Sequence, residues 1–143
     1  PTRLGRYRGV CAEYCGVAHT HMAFTVEVVS ATDFSAWLEQ QNQNARVADT
    51  AQTRAGAARF VAYGCPACHS IRGTDARGVI GPDLTHVGSR PTLGAATLPM
   101  NAASMARWIL EPGAIKPGVL MPSFQMMPDT ELVSLSAYLL SLE

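Results

Sequence analysis

Gly64-Cys65-Pro66-Ala67-Cys68-His69 is the stretch on which the reading of this chain turns. It contains C-x-x-C-H, the signature for covalent attachment of a c-type haem. The spacing follows from the chemistry. Two thiols must reach the two vinyl groups on one edge of the porphyrin, and the adjacent His69 then lies under the iron. A redox or structural C-x-x-C with an unrelated His is the competing interpretation, and the surroundings weigh against it. Gly64 is preceded by the helix-like run GAARFVAY. Residues 73–99 are crowded with Pro and Gly and are expected to form a long loop wrapped on something other than secondary structure. Large apolar residues are few for the length of this part, and a haem would supply the missing core.

Further along, Asn101 can cap a helix carrying Met105, Trp108 and Ile109 and stopped by Pro112. Residues 116–124, KPGVLMPSF, read as loop. Asp129 can cap a last helix with Leu132, Leu135, Leu139 and Leu142 on one stripe. A sixth iron ligand is expected to be a Met in a downstream loop. Met105 lies on an amphipathic helix and suits packing. Met126 and Met127 adjoin the last helix and suit packing as well. Met121 sits between prolines in an extended loop and is the favoured ligand, with Met100 the alternative. A His/Met pair leaves no open site and raises the potential, which suits electron transfer rather than oxygen chemistry.

The other two of the four cysteines, Cys11 and Cys15, open the run Cys-Ala-Glu-Tyr-Cys-Gly-Val-Ala-His-Thr-His-Met at residues 11–22. Two thiols, an imidazole and a thioether within twelve residues form a soft donor set that selects copper or zinc over magnesium or calcium. The thioether favours copper. A disulfide between Cys11 and Cys15 is the alternative. After this run, AFTVEVVS (23–30) sets Phe24, Val26 and Val28 against Thr25 and Glu27, the pattern of a half-buried strand. A short helix follows, with Thr32 as a possible cap and Phe34, Trp37 and Leu38 on one face. Residues 40–53, QQNQNARVADTAQT, are polar and free of aromatics. They read as a linker, whose mean reach as a flexible chain is roughly 20 Å.

Composition narrows the function classes. The 143 residues carry 11 basic and 11 acidic side chains, and no basic run points to nucleic acid. No apolar stretch is long enough to span a membrane. The first residues have no initiator Met and no signal-peptide core, so the sequence is expected to be a piece of a longer precursor. It has no internal repeats.

Residues 54–143 resemble a class I cytochrome c domain, through C-P-A-C-H-S-I-x-G-T, G-P-D-L-T-H-V-G-S-R, K-P-G-x-x-M-P and a closing Y-L-x-x-L. The resemblance implies a mainly α fold around a covalent haem c. It implies further that the Pro82 carbonyl accepts from Nδ1–H of His69, a bond of the kind that fixes an imidazole and tunes its iron. Arg90 and Trp108 are placed by it to meet the haem propionates. A solvated loop charge and a core aromatic are their ordinary roles.

The string C-A-E-Y-C-G-x-x-H-x-x-M resembles the CuA loop of cytochrome c oxidase subunit II, and the flanking P-T-R-x-G-x-Y-R-G and M-A-F-T-V-E-V-V are similar to that family too. By this resemblance Cys11 and Cys15 bridge two coppers, His19 binds one of them, Met22 is a weak ligand and Glu13 contributes its backbone carbonyl. His21 falls between ligand positions. The family's second His comes from an earlier loop of the cupredoxin barrel, and no residue before Cys11 can supply it. The copper site of this piece is therefore expected to be empty or badly formed.

The two resemblances in this order are similar to subunit II of a caa-type cytochrome c oxidase. They imply residues 1–39 as the C-terminal piece of a β cupredoxin domain, 40–53 as linker and 54–143 as the cytochrome c domain. They also imply an electron taken from a soluble or membrane-bound donor such as a cytochrome c, passed from haem to CuA, and delivered to subunit I for oxygen reduction and proton pumping. The membrane would be reached through N-terminal helices upstream, with these domains on the periplasmic or outer side of a bacterial cytoplasmic membrane. A stand-alone electron carrier with a non-functional copper loop, and a CuA-containing reductase such as nitrous oxide reductase, are the alternatives.

Overall fold

Two antiparallel strands open the chain in a computed structural model that describes residues 2–143. Pro1, the first residue of the P-T-R-x-G-x-Y-R-G stretch, lies outside the described residues. Strand β1 (Gly5–Val10) pairs with β2 (Ala23–Val28) in a register that sets Gly9 opposite Phe24 and Tyr7 opposite Val26. Arg6 and Glu27, also opposite each other, form an exposed ion pair. The expected half-burial of β2 is not met. Phe24 and Val26 are 53% and 45% exposed, and among the described residues the sheet has only these two strands. A two-stranded ribbon does not build a core of its own.

Helix α1 (Ala31–Gln41) follows β2. Its cap is Ser30 rather than Thr32: the Ser30 hydroxyl accepts the Asp33 N–H at 3.1 Å, and Thr32 already lies inside the first turn. The exposed Phe34 and Trp37 rings sit 5.7 Å apart on its surface. The polar stretch 40–53 includes the end of α1 and the start of α2 (Ala51–Ala62), leaving residues 42–50 between the helices. Thr50 and Thr53 cap α2 reciprocally.

The core lies in the C-terminal helical unit, where α2 crosses α5 (Asp129–Ser141). Gly56 makes the close approach possible, since a Cβ there would stand 2.0 Å from the Ser134 carbonyl oxygen. Phe60 meets Tyr138 edge-on at 6.0 Å beside the crossing. Helix α3 (Ala102–Leu110) adds Met105 and Ile109 to the core, and Asn101 caps it by accepting the Ser104 N–H at 2.9 Å.

Two details differ from the sequence expectation. Pro112 stops α3 but also opens a short helix, α4 (Pro112–Ile115), since proline suits a first helical turn where its missing N–H is not needed. Asp129 is not the cap of α5. Pro128 takes that place, and the Asp129 and Glu131 carboxylates lie in the first turn, where the helix dipole favours negative charge. Residues 73–99 are mainly irregular apart from a small hairpin of β3 (Thr92–Leu93) and β4 (Leu98–Pro99).

Candidate functional site

The turn that carries Cys65, Cys68 and His69 begins where α2 ends. Gly64 takes a left-handed conformation, φ 75°, and residues Cys65–Ala67 make one 3-10 turn closed by the Cys68 N–H on the Cys65 carbonyl. The chain then folds back along the motif. The Gly81 N–H donates to the Cys68 carbonyl at 2.7 Å and the Leu84 N–H to the Ser70 carbonyl at 2.9 Å. This brings the Pro82 carbonyl 2.8 Å from Nδ1 of His69. A carbonyl only accepts, so Nδ1 carries the proton and Nε2 is left with a free lone pair for a metal.

His69 and Cys65 lie on an apolar cleft walled by Phe60, Leu84, Phe124 and residues of α3 and α5. Met121 lines the same cleft, and so does the buried Met127. Met100 and Met105 do not line it. Met105 is buried in α3, and Met126 is 95% exposed. Burial pushes the Cys65 thiol up to about 11, so it is a neutral thiol at physiological pH. Cys68 is half-buried on the same turn, outside the cleft lining. An imidazole with a free Nε2, thiols at C-x-x-C spacing and thioethers in an otherwise apolar cleft are a donor set that fits haem c.

Arg90 and Trp108 are also outside the lining. The Arg90 guanidinium donates to the Asp83 carbonyl, next to Pro82, and Trp108 is half-buried with its ring against Gly94. Asp83 holds this loop in turn. Burial works to raise its carboxyl, but hydrogen bonds from Thr85, including the amide at 2.7 Å, and the charges of Arg72 and Arg90 outweigh that and leave it below its ordinary value.

The second cluster sits between β1 and β2. Sγ of Cys15 lies 3.5 Å from Sγ of Cys11, 3.0 Å from Sδ of Met22 and 3.6 Å from Nδ1 of His19. Sγ of Cys11 is 3.1 Å from the Glu13 carbonyl oxygen. The five groups expected from sequence therefore converge, and the ligating atoms of Cys11, Cys15 and His19 all fall within 4.8 Å of one another. The residues present fit a soft metal ion. Both cysteines are free thiols, and the Cys11 side chain, first through hydrogen bonding, raises the thiol of Cys15. His21 lies apart, beside the Thr20 hydroxyl at 3.1 Å.

Several residues that shape these sites carry no flag in the sequence. Phe60, Leu84 and Phe124 look like ordinary core residues, and only the return of distant loops places them on the cleft. The contact between the two sites is equally silent. A Cβ on Gly118 would stand 2.5 Å from Cγ2 of Val17, which joins the Cys11–Met22 loop to the loop that carries Met121.

The chain is 33% identical over 141 residues to cytochrome c oxidase subunit 2 of Alkalihalophilus pseudofirmus, covering 97% of this chain and 40% of that protein. It is 30% identical over 139 residues to cytochrome c oxidase subunit 2 of Bacillus subtilis, covering 94% of this chain and 39% of that protein. A shorter match, 51% identical over 39 residues, covers 27% of this chain and 16% of cytochrome c oxidase subunit 2 of Cyberlindnera saturnus. The chain thus spans about 40% of the length of the first two relatives. Residues 53–143 match the Cytochrome c family. With its helices packed around the Cys65-Pro66-Ala67-Cys68-His69 turn and its cleft, the chain belongs to the cytochrome c family, with the class I fold.

Proposed function

We propose that this chain is the electron inlet of a caa-type cytochrome c oxidase. It takes an electron at the His69 cleft and hands it to the copper loop at Cys11–Met22, for delivery to oxidase subunit I. The observation that carries this reading is that one chain holds two converged redox-suited donor sets, one of soft sulfur and imidazole and one of the haem c type, with Val17 touching Gly118 between them. The similarity to oxidase subunit 2 proteins over nearly the whole chain supports it.

Each residue then has a role. Cys65 and Cys68 would hold haem c through thioether bonds, and His69 and Met121 would supply nitrogen and sulfur donors to its iron. The Pro82 carbonyl fixes the His69 ring and makes Nε2 a better donor. The apolar wall of Phe60, Leu84 and Phe124 keeps water from the iron. Haem c supplies a one-electron couple, and a His/Met pair tunes it upward without leaving an open coordination position. Arg90 and Trp108, outside the cleft lining, would meet the haem propionates. In the complete protein Cys11, Cys15, His19, Met22 and the Glu13 carbonyl would hold CuA, together with a His from an earlier loop of the barrel. Residues 1–39 are the end of that cupredoxin domain, 40–53 connect it, and 54–143 are the cytochrome domain. The electron donor is a cytochrome c or similar protein. Both sites face the periplasmic or outer side of a bacterial cytoplasmic membrane, where c-type haem is attached, and the membrane anchor lies in upstream helices.

The test uses the assembled oxidase that contains this chain. Reducing the haem with a light pulse is expected to give reoxidation of the haem together with reduction of copper, one electron for one. Reoxidation by external acceptors only, with no copper signal, would show a stand-alone carrier.

A further inference from the structure

The stretch after α1 has the composition of a free tether, yet it is fastened to the cytochrome unit. The Arg72 guanidinium donates to the Gln41 carbonyl. The Ala45 N–H donates back to the Arg72 carbonyl at 3.0 Å. Nε2 of the buried His86 lies 3.2 Å from the Gln43 carbonyl and donates to it, while its Nδ1 has no partner among the described residues. Ala45 and Ala48 pack on the core.

These fastenings stand on the scaffold that holds the iron ligand. The Arg72 N–H donates to the Thr85 hydroxyl at 2.9 Å, Thr85 and Ile71 are fully buried, and the same 82–85 loop supplies the Pro82 carbonyl to His69.

A second contact lies at the copper loop. The Ala23 N–H, next to Met22, donates to the Ala95 carbonyl at 3.2 Å. Ala95 and Ala96 both have positive φ, 60° and 62°. Residues with a Cβ pay for that conformation and hold it only where their surroundings demand it. Here the strained hairpin tip presents the carbonyl that meets the copper loop, and Val17 against Gly118 makes the contact continuous.

We propose that Arg72 and His86 are positioning residues for electron transfer: they turn residues 41–45 into a fixed strap that, with the Ala95 carbonyl, holds the cytochrome unit against the copper loop. A swinging tether would leave the Gln41 and Gln43 carbonyls to water and the Ala95 carbonyl without the Ala23 amide. The inference rests on the electron-inlet reading above, and its test separates the two.

Hydrogen exchange on the haem-loaded chain reads the strap directly. The Ala45 and Ala23 amides are expected to be protected. Arg72→Leu, which removes a charge-assisted hydrogen bond, is expected to raise exchange at both roughly tenfold, with the haem spectrum unchanged. In the assembled oxidase the same variant is expected to slow haem-to-copper transfer, while the donor-to-haem rate stays as it was. Arg72→Lys keeps the cation beside Asp83 but loses the guanidinium fork, and serves if the leucine variant fails to fold. An unprotected Ala45 in the unsubstituted chain overturns the proposal. So does unchanged exchange at Ala23 when Ala45 is released, or unchanged haem-to-copper transfer in the variant. Absence of any haem-to-copper transfer in the unsubstituted oxidase would instead overturn the electron-inlet reading and leave the exchange result standing.

Discussion

His69 Nδ1 and the Pro82 carbonyl oxygen are 2.8 Å apart, and Gly81, the residue before Pro82, lies close to the imidazole. A Cβ on Gly81 would stand 2.5 Å from Cε1 of His69. Gly81→Ala must therefore displace either the ring or the loop. It is expected to cost about 1–3 kcal/mol of stability, the usual price of overpacking, and to weaken the axial sulfur-to-iron absorption by tilting the ring. Denaturant unfolding of the haem-loaded protein with the absorption spectrum alongside checks both; native stability and an intact band in the variant would refute them.

Met121 and Met127 both line the cleft, so geometry leaves two thioethers to compare. Met127 is buried against α5 and belongs to the packed core. Met121→Ala is expected to abolish the weak sulfur-to-iron band of the oxidised protein. Met127→Ala is expected to keep the band and lose about 2–5 kcal/mol of stability, as for a buried Met cut to Ala. Met100→Ala is expected to keep the band. Survival of the band in Met121→Ala with its loss in either other variant would reassign the ligand.

Asp83 ties the Pro82 loop together and makes it sensitive to acid. Its carboxyl sits below its ordinary value of 3.8, so its contribution to stability is present above that value and is lost as pH falls through the lowered folded value. Asp83→Asn is expected to be less stable than the parent at pH 7, with the gap closing as pH drops below 3.8. A gap that is constant from neutral to strongly acidic pH would mean that the charge of Asp83 plays no part.

Gly56 marks the crossing of α2 and α5. Gly56→Ala gains helix propensity, worth about 1 kcal/mol at an exposed helical site. At this site the Cβ would meet the Ser134 carbonyl oxygen at 2.0 Å, so the helices must separate. Net destabilisation of about 1–3 kcal/mol is expected, read as a lowered midpoint of thermal unfolding. A stabilised variant would show that the crossing is looser than the structure has it.

Copper titration tests the second cluster. Residues 1–143 contribute one imidazole to it, from His19, with His21 turned to Thr20. Titrating this chain alone is expected to give no stable mixed-valence purple colour, and titrating the complete protein is expected to give it. Stoichiometric, stable colour in the chain alone would mean that one imidazole suffices or that His21 moves in.

The sequence alone marked the donor groups of both clusters, because they are local. Cys65, Cys68 and His69 are neighbours on one turn, and Cys11, Cys15, His19 and Met22 come from one loop, so spacing specifies what they can hold. Helix α3, with its Asn101 cap, and the apolar stripe of α5 were legible for a similar reason, since caps and stripes act within a few residues, whereas the capped first turn of α2 lies in the stretch that reads as linker and the cap of α5 is Pro128 rather than Asp129. Tertiary structure alone decided what depends on distant segments meeting. Which methionines reach the cleft, that β2 keeps both faces exposed, and that Arg72 and His86 fasten a stretch with the composition of a free linker all lie beyond local pattern. The strap shows the physical reason. Its own hydrogen-bonding groups are the Gln41 and Gln43 carbonyls and the Ala45 amide, backbone groups common to almost every residue, so no side chain in residues 41–45 announces them.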